Sequence, residues 1–184
     1  QLAEARSLVP SAPVVITRER EEMTSVLDDV EIAVGHVPRD LIIRAPNLRW
    51  FQQWAAGADW LLRYPEALQR EFVLTSVSGI HAIPISEYIM AVLLAFVRRL
   101  PEAYRAQARR EWAHPGWGAL GELAGKVMLL VGVGSIGRRT ARIATAMGMR
   151  VLGVRRNPTV DAPCVEKMVA PDHLAHVLPE ADFV

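Results

Sequence analysis

The chain is nearly devoid of cysteine: Cys164 stands alone among 184 residues, so no disulfide can form within it. That usage suits a reducing compartment. Long apolar runs are missing as well. The longest, residues 88–97 (YIMAVLLAFV), is half of the roughly 20 residues needed to span a bilayer. Glu4 and Arg6 interrupt any secretory signal at the N-terminus. No sign of charge predominates, since 21 Lys and Arg face 20 Asp and Glu for a net charge of +1. The arginines are scattered or set among acids, as in Arg18-Glu19-Arg20-Glu21-Glu22, and no basic block reaches the length of a nucleic-acid tract. Internal repeats and low-complexity tracts are also lacking. What remains is a cytoplasmic globular protein with neither nucleic acid nor membrane as partner. Its 51% hydrophobic content is enough for one large or two small domains.

The most informative stretch is residues 126–156, KVMLLVGVGSIGRRTARIATAMGMRVLGVRR. Residues 127–131 form an unbroken apolar run, as in a parallel strand buried on both faces. From Ser135 the period becomes helical, with Ile136, Thr140, Ile143 and Met147 on one stripe and Arg138, Arg139 and Arg142 mostly elsewhere. Gly148 stops the helix, and residues 150–154 read as the next strand. Between strand and helix lie Gly132, Gly134 and Gly137, the spacing of a dinucleotide-binding turn. Gly132 lets the chain turn off the strand, Gly134 removes a Cβ where a pyrophosphate would approach, and Gly137 lets the helix pack closely. The amides of Ser135 and Ile136 are then free donors at the positive end of the helix dipole.

The second strand bears on which dinucleotide binds. NAD-selective sites place Asp or Glu at its end, about 20 residues past the first glycine. This strand runs instead into Arg155-Arg156-Asn157, and the next acid, Asp161, comes several residues too late. Two guanidiniums can grip a 2′-phosphate through forked, charge-assisted hydrogen bonds. The expected cofactor is NADP, with NAD held through backbone contacts as the alternative.

Upstream, residues 14–16, 31–35, 48–54 and 72–75 read as short strands, with helices beginning near Arg18 and Pro38. Residues 84–98 (PISEYIMAVLLAFVR) open with proline and are apolar on nearly every face, which predicts a crossover helix buried completely between larger bodies. A second helix over 102–112 leads into His114-Pro115-Gly116-Trp117-Gly118. His36, His81, His114, His173 and His176 show no spacing that defines a metal site or catalytic pair, and no metal is expected.

Gly57-Ala58-Asp59 after a strand, Ser86-Glu87 opening the apolar helix, and Glu122-Leu123-Ala124-Gly125-Lys126 running into Gly-Val-Gly-Ser-Ile-Gly resemble the D-isomer-specific 2-hydroxyacid dehydrogenases. The Arg-Arg ending resembles the NADP-preferring hydroxypyruvate and glyoxylate reductases among them. The resemblance implies an α/β protein with a flavodoxin-like substrate domain over residues 1–100, crossover helix included, followed by the first half of a Rossmann domain over 101–184. It implies a homodimer with a cleft between domains, reducing a 2-keto acid to a D-2-hydroxy acid by hydride transfer from a nicotinamide. The substrate turn of the family corresponds to residues 56–59, so the amides of Gly57 and Ala58 are candidates for holding the substrate carboxylate and Trp54 for a wall of its pocket. Gly57 equally fits a turn that needs positive φ and nothing more. Asp59 reads as a local cap.

The family's arginine, acid-base histidine and supporting carboxylate come from later segments, so no catalytic residue is assigned here, and the chain reads as the N-terminal part of an enzyme. A non-catalytic dinucleotide-sensing or interaction protein on the same fold is the alternative. Oxidation of formate or another small anion would use the same cofactor loop.

Overall fold

The computed structural model describes residues 4, 6, 7, 9–113 and 116–184. His114 and Pro115 of the connector therefore lie outside the described residues. The chain divides into two compact units, Gln1–Ser78 and Gly79–Val184.

Three parallel strands organise the first unit: β1 (Ile32–Gly35), β2 (Trp50–Gln53) and β3 (Val73–Ser76), in that spatial order. Ile32 stands opposite Trp50, and Trp50 opposite Val73. Side chains alternate, so Ala33, Phe51 and Gln53 point into the core while Ile32, Trp50 and Val73 stay exposed on the other face. Helices α1 (Arg20–Ser25) and α2 (Arg39–Arg44) precede and follow β1. Asp40 in the first turn of α2 and Arg44 in its last complement the helix dipole. Past its C-terminus, the Arg70 guanidinium collects the carbonyls of Ile43 and Ala45. Ile42, Leu48, Phe51, Trp60 and Ala67 form the core.

Residues 14–16 are not a strand. An apolar triplet acquires extended, paired form only from a neighbouring ladder, and these residues join none; Val15 and Ile16 are exposed.

The second unit is built on β4 (Val127–Val131), β5 (Arg150–Val154) and β6 (Lys167–Val169), all parallel. On the free edge of β4, Met128 pairs in parallel with Phe183, and the Leu129 amide donates to the Phe183 carbonyl at 2.8 Å. The sheet order is thus β6-β5-β4-Phe183, reversing direction at β4, as in a Rossmann-type α/β sheet. Helices α3 (Ala82–Val97) and α5 (Ser135–Ala146) share a core with one face through Met90, Val97, Ala141 and Ala144, which cluster with Met128 and Val151. On the other face Val177, in α6 (Leu174–Val177), joins Val127, Leu129, Leu152 and Val154. Coverage on both faces is why the strands read as continuous apolar runs.

The two compact units divide at Ser78/Gly79, and α3 falls in the second, where it packs on α5. Some expectations about the helices need adjustment. Helix α3 is not buried all round. Ser86, Met90 and Val97 are buried, while Tyr88 and Phe96 are 71% and 75% exposed. On α5 the deepest positions are Gly137, Thr140, Ala141 and Ala144, with Ile136, Ile143 and Met147 half-buried. Small residues there admit the close approach of α3. Helix α4 (Leu100–Ala108) is shorter than expected, separated from α3 by Arg99 at φ 54° and followed by Arg110 at φ 57°. A left-handed residue breaks the right-handed hydrogen-bond ladder at either point. Among the described residues no helix is long and apolar enough to cross a membrane.

Candidate functional site

The turn from β4 into α5 lies at the carboxyl end of the sheet, at its switch point, where open α/β sheets bind ligands. Gly132 has φ +109°, a value open to glycine and little else, and its amide donates to the Val154 carbonyl at 2.9 Å. That bond ties the turn to the end of β5, one residue before Arg155. At Gly137 an added Cβ would stand 2.4 Å from the Gly132 carbonyl oxygen, so the helix can begin this close to the turn only with glycine there.

Gly134 differs in kind. A Cβ built on it meets nothing within 4 Å, so no described residue requires glycine at that point. The space a side chain would occupy is open, and it lies against the first turn of α5. No described residue accepts from the amides of Gly134, Ser135 or Ile136, and no side chain caps the helix. The arrangement is a cradle of N–H donors at a helix N-terminus, which fits the pyrophosphate of a dinucleotide.

At the end of β5 the Arg155 amide donates to the Val169 carbonyl at 2.9 Å, and its side-chain Nη1 is buried without a hydrogen-bond partner. An unpartnered buried guanidinium nitrogen favours an incoming acceptor. Arg156 is exposed beside it, and Asn157 closes an Asx turn onto the Thr159 amide at 3.2 Å. Gly132, Gly134, Ser135, Ile136, Gly137, Arg155 and Arg156 therefore share one edge of one sheet. The residues present fit a dinucleotide.

In the first unit the turn after β2 also lies at a carboxyl edge. Residues 56–59 are exposed, and the amides of Gly57 and Ala58 have no acceptor among the described residues. Gly57 does not have positive φ, which removes the simplest reason for a glycine there. The space is restricted instead: a Cβ at Gly57 would lie 2.8 Å from Asp59 Oδ1. Asp59 opens a short 3-10 helix, Asp59–Leu62. Trp54 is 54% exposed. Its ring meets His36, at the end of β1, edge to face at 5.4 Å between centroids, and lies 3.6 Å from where a Cβ on Gly35 would be.

Two neighbours of this turn are not legible in the sequence pattern. His36 carried no partner spacing, because its neighbour Trp54 comes from a different strand. Gln53 is fully buried (0% exposed) beneath the turn; the inward alternation of β2 was the one available signal. His81 sits at the N-terminus of α3 without capping it. His173 Nδ1 lies 3.0 Å from Asp172 Oδ1 and its ring 5.8 Å from that of His176, and no group of three potential metal ligands occurs among the described residues.

Comparison with known proteins agrees with this geometry. Residues 90–184 match the family model for the D-isomer specific 2-hydroxyacid dehydrogenase, NAD binding domain. A glyoxylate reductase from Korarchaeum cryptofilum is 30% identical over 183 residues, covering 95% of this chain and 52% of that protein. The crystal structure of a D-isomer specific 2-hydroxyacid dehydrogenase family protein from Aeromonas salmonicida superposes with a TM-score of 0.83 at 29% identity, over 97% of this chain and 57% of that one. An NADPH-dependent glyoxylate/hydroxypyruvate reductase from Sinorhizobium meliloti, solved with NADP and sulfate, gives a TM-score of 0.77 at 25% identity, over 98% and 56%. The chain thus spans about half the length of these relatives. With a nucleotide turn at the switch point of a Rossmann-type sheet and a family model matching more than half its residues, this chain belongs to the D-isomer specific 2-hydroxyacid dehydrogenases.

Proposed function

We propose that the full-length protein reduces a small 2-keto acid to the corresponding D-2-hydroxy acid with NADPH, the first unit serving the substrate and the second the dinucleotide. The observation that carries this reading is the donor cradle at Gly134, Ser135 and Ile136, whose open glycine answers to no described neighbour. A reduced nicotinamide dinucleotide, when bound, supplies the hydride. The chain's own residues bind and orient: Gly134, Ser135 and Ile136 hold the pyrophosphate on N–H donors, and Arg155 and Arg156 take the 2′-phosphate. The amides of Gly57 and Ala58 fix the substrate carboxylate, with Trp54 as a wall that limits the size of its other substituent.

The names of the relatives support a two- or three-carbon substrate, since those from K. cryptofilum and S. meliloti are glyoxylate and glyoxylate/hydroxypyruvate reductases. The preference for NADP(H) rests on the unpartnered Nη1 of Arg155 and the absence of an acid between Val154 and Asp161. A homodimer is supported by the exposed apolar stripe Ile85, Tyr88, Val92 and Phe96 on α3, larger than a solvated helix face needs. A free, exposed Cys164 suits the cytoplasm.

The test is turnover by the full-length protein of NADPH and NADH with glyoxylate, hydroxypyruvate and pyruvate. Reduction of any of them with NADPH favoured supports the reading. Tight dinucleotide binding with no turnover of any keto acid would replace it with a sensing role.

A further inference from the structure

Gln53 is the last residue of β2 and is wholly buried, an expensive place for a primary amide unless both ends are bonded. Both are. Its Oε1 accepts from Trp60 Nε1 at 2.9 Å, and its Nε2 donates to the Gly57 carbonyl at 2.7 Å. The direction of the amide is fixed, because an indole nitrogen can only donate: Oε1 must face Trp60, which leaves the NH2 for Gly57. A flipped amide would set donor against donor and acceptor against acceptor. Trp60 is itself held in the core, edge to face with Phe51 at 6.4 Å between centroids and with the Arg39 guanidinium 5.1 Å from its ring.

The consequence falls on the exposed turn. With the Gly57 carbonyl drawn inward to Gln53, the N–H of Ala58, trans to it across the same planar peptide, points the other way. The next carbonyl, of Ala58, is also occupied, accepting from the Leu61 amide at 3.1 Å. Two successive peptides are thereby oriented with their carbonyls engaged by the protein. We propose that Gln53 is the positioning residue of the substrate turn: through Trp60 and the Gly57 carbonyl it orients the Gly57–Ala58 peptide so that the Ala58 amide is presented to the carboxylate of a 2-keto acid. This rests on the reading of residues 56–59 as the carboxylate site.

The experiment uses the full-length protein and begins with hydrogen exchange on the unaltered chain, with oxamate as a 2-keto acid isostere. Slowed exchange across 56–59 upholds the turn as the carboxylate site; unchanged exchange overturns that reading and this proposal together. Steady-state kinetics of Gln53→Met, similar in length but without polar atoms, then test the positioning role alone. The KM for glyoxylate is expected to rise about ten- to a hundredfold, the scale on which small misplacements act, while the KM for the dinucleotide stays within about twofold. A purely structural lesion would instead lower the active fraction, reducing kcat at unchanged KM. Trp60→Phe removes the donor that sets the direction of Gln53 and should raise the same KM, keeping the test open should Gln53→Met fail to fold. Oxamate protection in the unaltered protein with an unshifted glyoxylate KM in the folded variants would overturn the role of Gln53 and leave the turn's assignment standing.

Discussion

Two turns of this chain end parallel strands and expose backbone N–H groups, yet their glycines sit in opposite surroundings. Gly134, after β4, borders space that no described residue fills. Gly57, after β2, is crowded by the carboxylate of Asp59 two residues on, so its missing side chain serves the chain itself. The first turn is shaped locally, by the φ of Gly132 and the start of α5. The second is shaped from below, by a buried glutamine and tryptophan that hold its carbonyl. A donor cradle can thus be written into consecutive residues or imposed by the core.

That difference can be broken most severely at Gly134. Gly134→Val should lower dinucleotide affinity by about a hundredfold or more, near 2.7 kcal/mol, with an unchanged melting temperature, as measured by titration calorimetry and thermal denaturation. Binding that survives would mean the open space is not the pyrophosphate's. Replacing Arg155 and Arg156 together by Ala should weaken NADPH by about 1.5–3 kcal/mol, the range for hydrogen bonds to charged groups, and NADH far less; equal losses would leave the 2′-phosphate unread by them.

Gly137→Ala sharpens the contrast within one turn. Its Cβ would press on the Gly132 carbonyl at 2.4 Å, so it should cost about 1–3 kcal/mol of folding stability, as overpacking does, by urea denaturation. Gly57→Ala should cost less, about 1 kcal/mol, because the atom it meets is the end of a movable side chain. In an Asp59→Ala background that cost should vanish, and a double-mutant cycle without coupling would refute the close contact as its cause.

The smallest effect lies at the opposite end of β4. The Asp182 carboxylate accepts from the Val127 amide at 2.8 Å and from Lys126 Nζ at 3.1 Å, which together hold its pKa below the usual carboxylate value. A depressed pKa contributes stability above the unfolded-state value, lost as pH falls through the lower folded value. Acid titration of stability should therefore flatten slightly in Asp182→Asn. An identical acid limb in the variant would show that the lowered pKa of Asp182 adds nothing.

Much of the second unit was legible in the sequence because its determinants are contiguous. Residues 127–131 and 150–154 are strands at the expected limits, since strands covered on both faces are uniformly apolar, and Gly148, at φ +80°, ends the helix where expected. The first unit was less legible. Its strands are four residues each and half-covered, so residues 14–16 resembled them in composition while lacking a ladder to join. Helix α3 misled for a related reason: hydrophobicity on every face says that burial is available, not which face takes it, and only its packing on α5 settled that.

By itself the sequence determined the parallel α/β character, the glycine turn after β4 and the pair of arginines past β5, because each depends on residues within one or two turns of chain. Tertiary structure decided that Gly57 lacks positive φ, that Gln53 lies beneath it, that His36 meets Trp54 and that Phe183 takes the free edge of β4. Those facts join residues whose separation along the chain carries no signal, and only the packing of one strand beside another brings them within hydrogen-bonding or van der Waals reach.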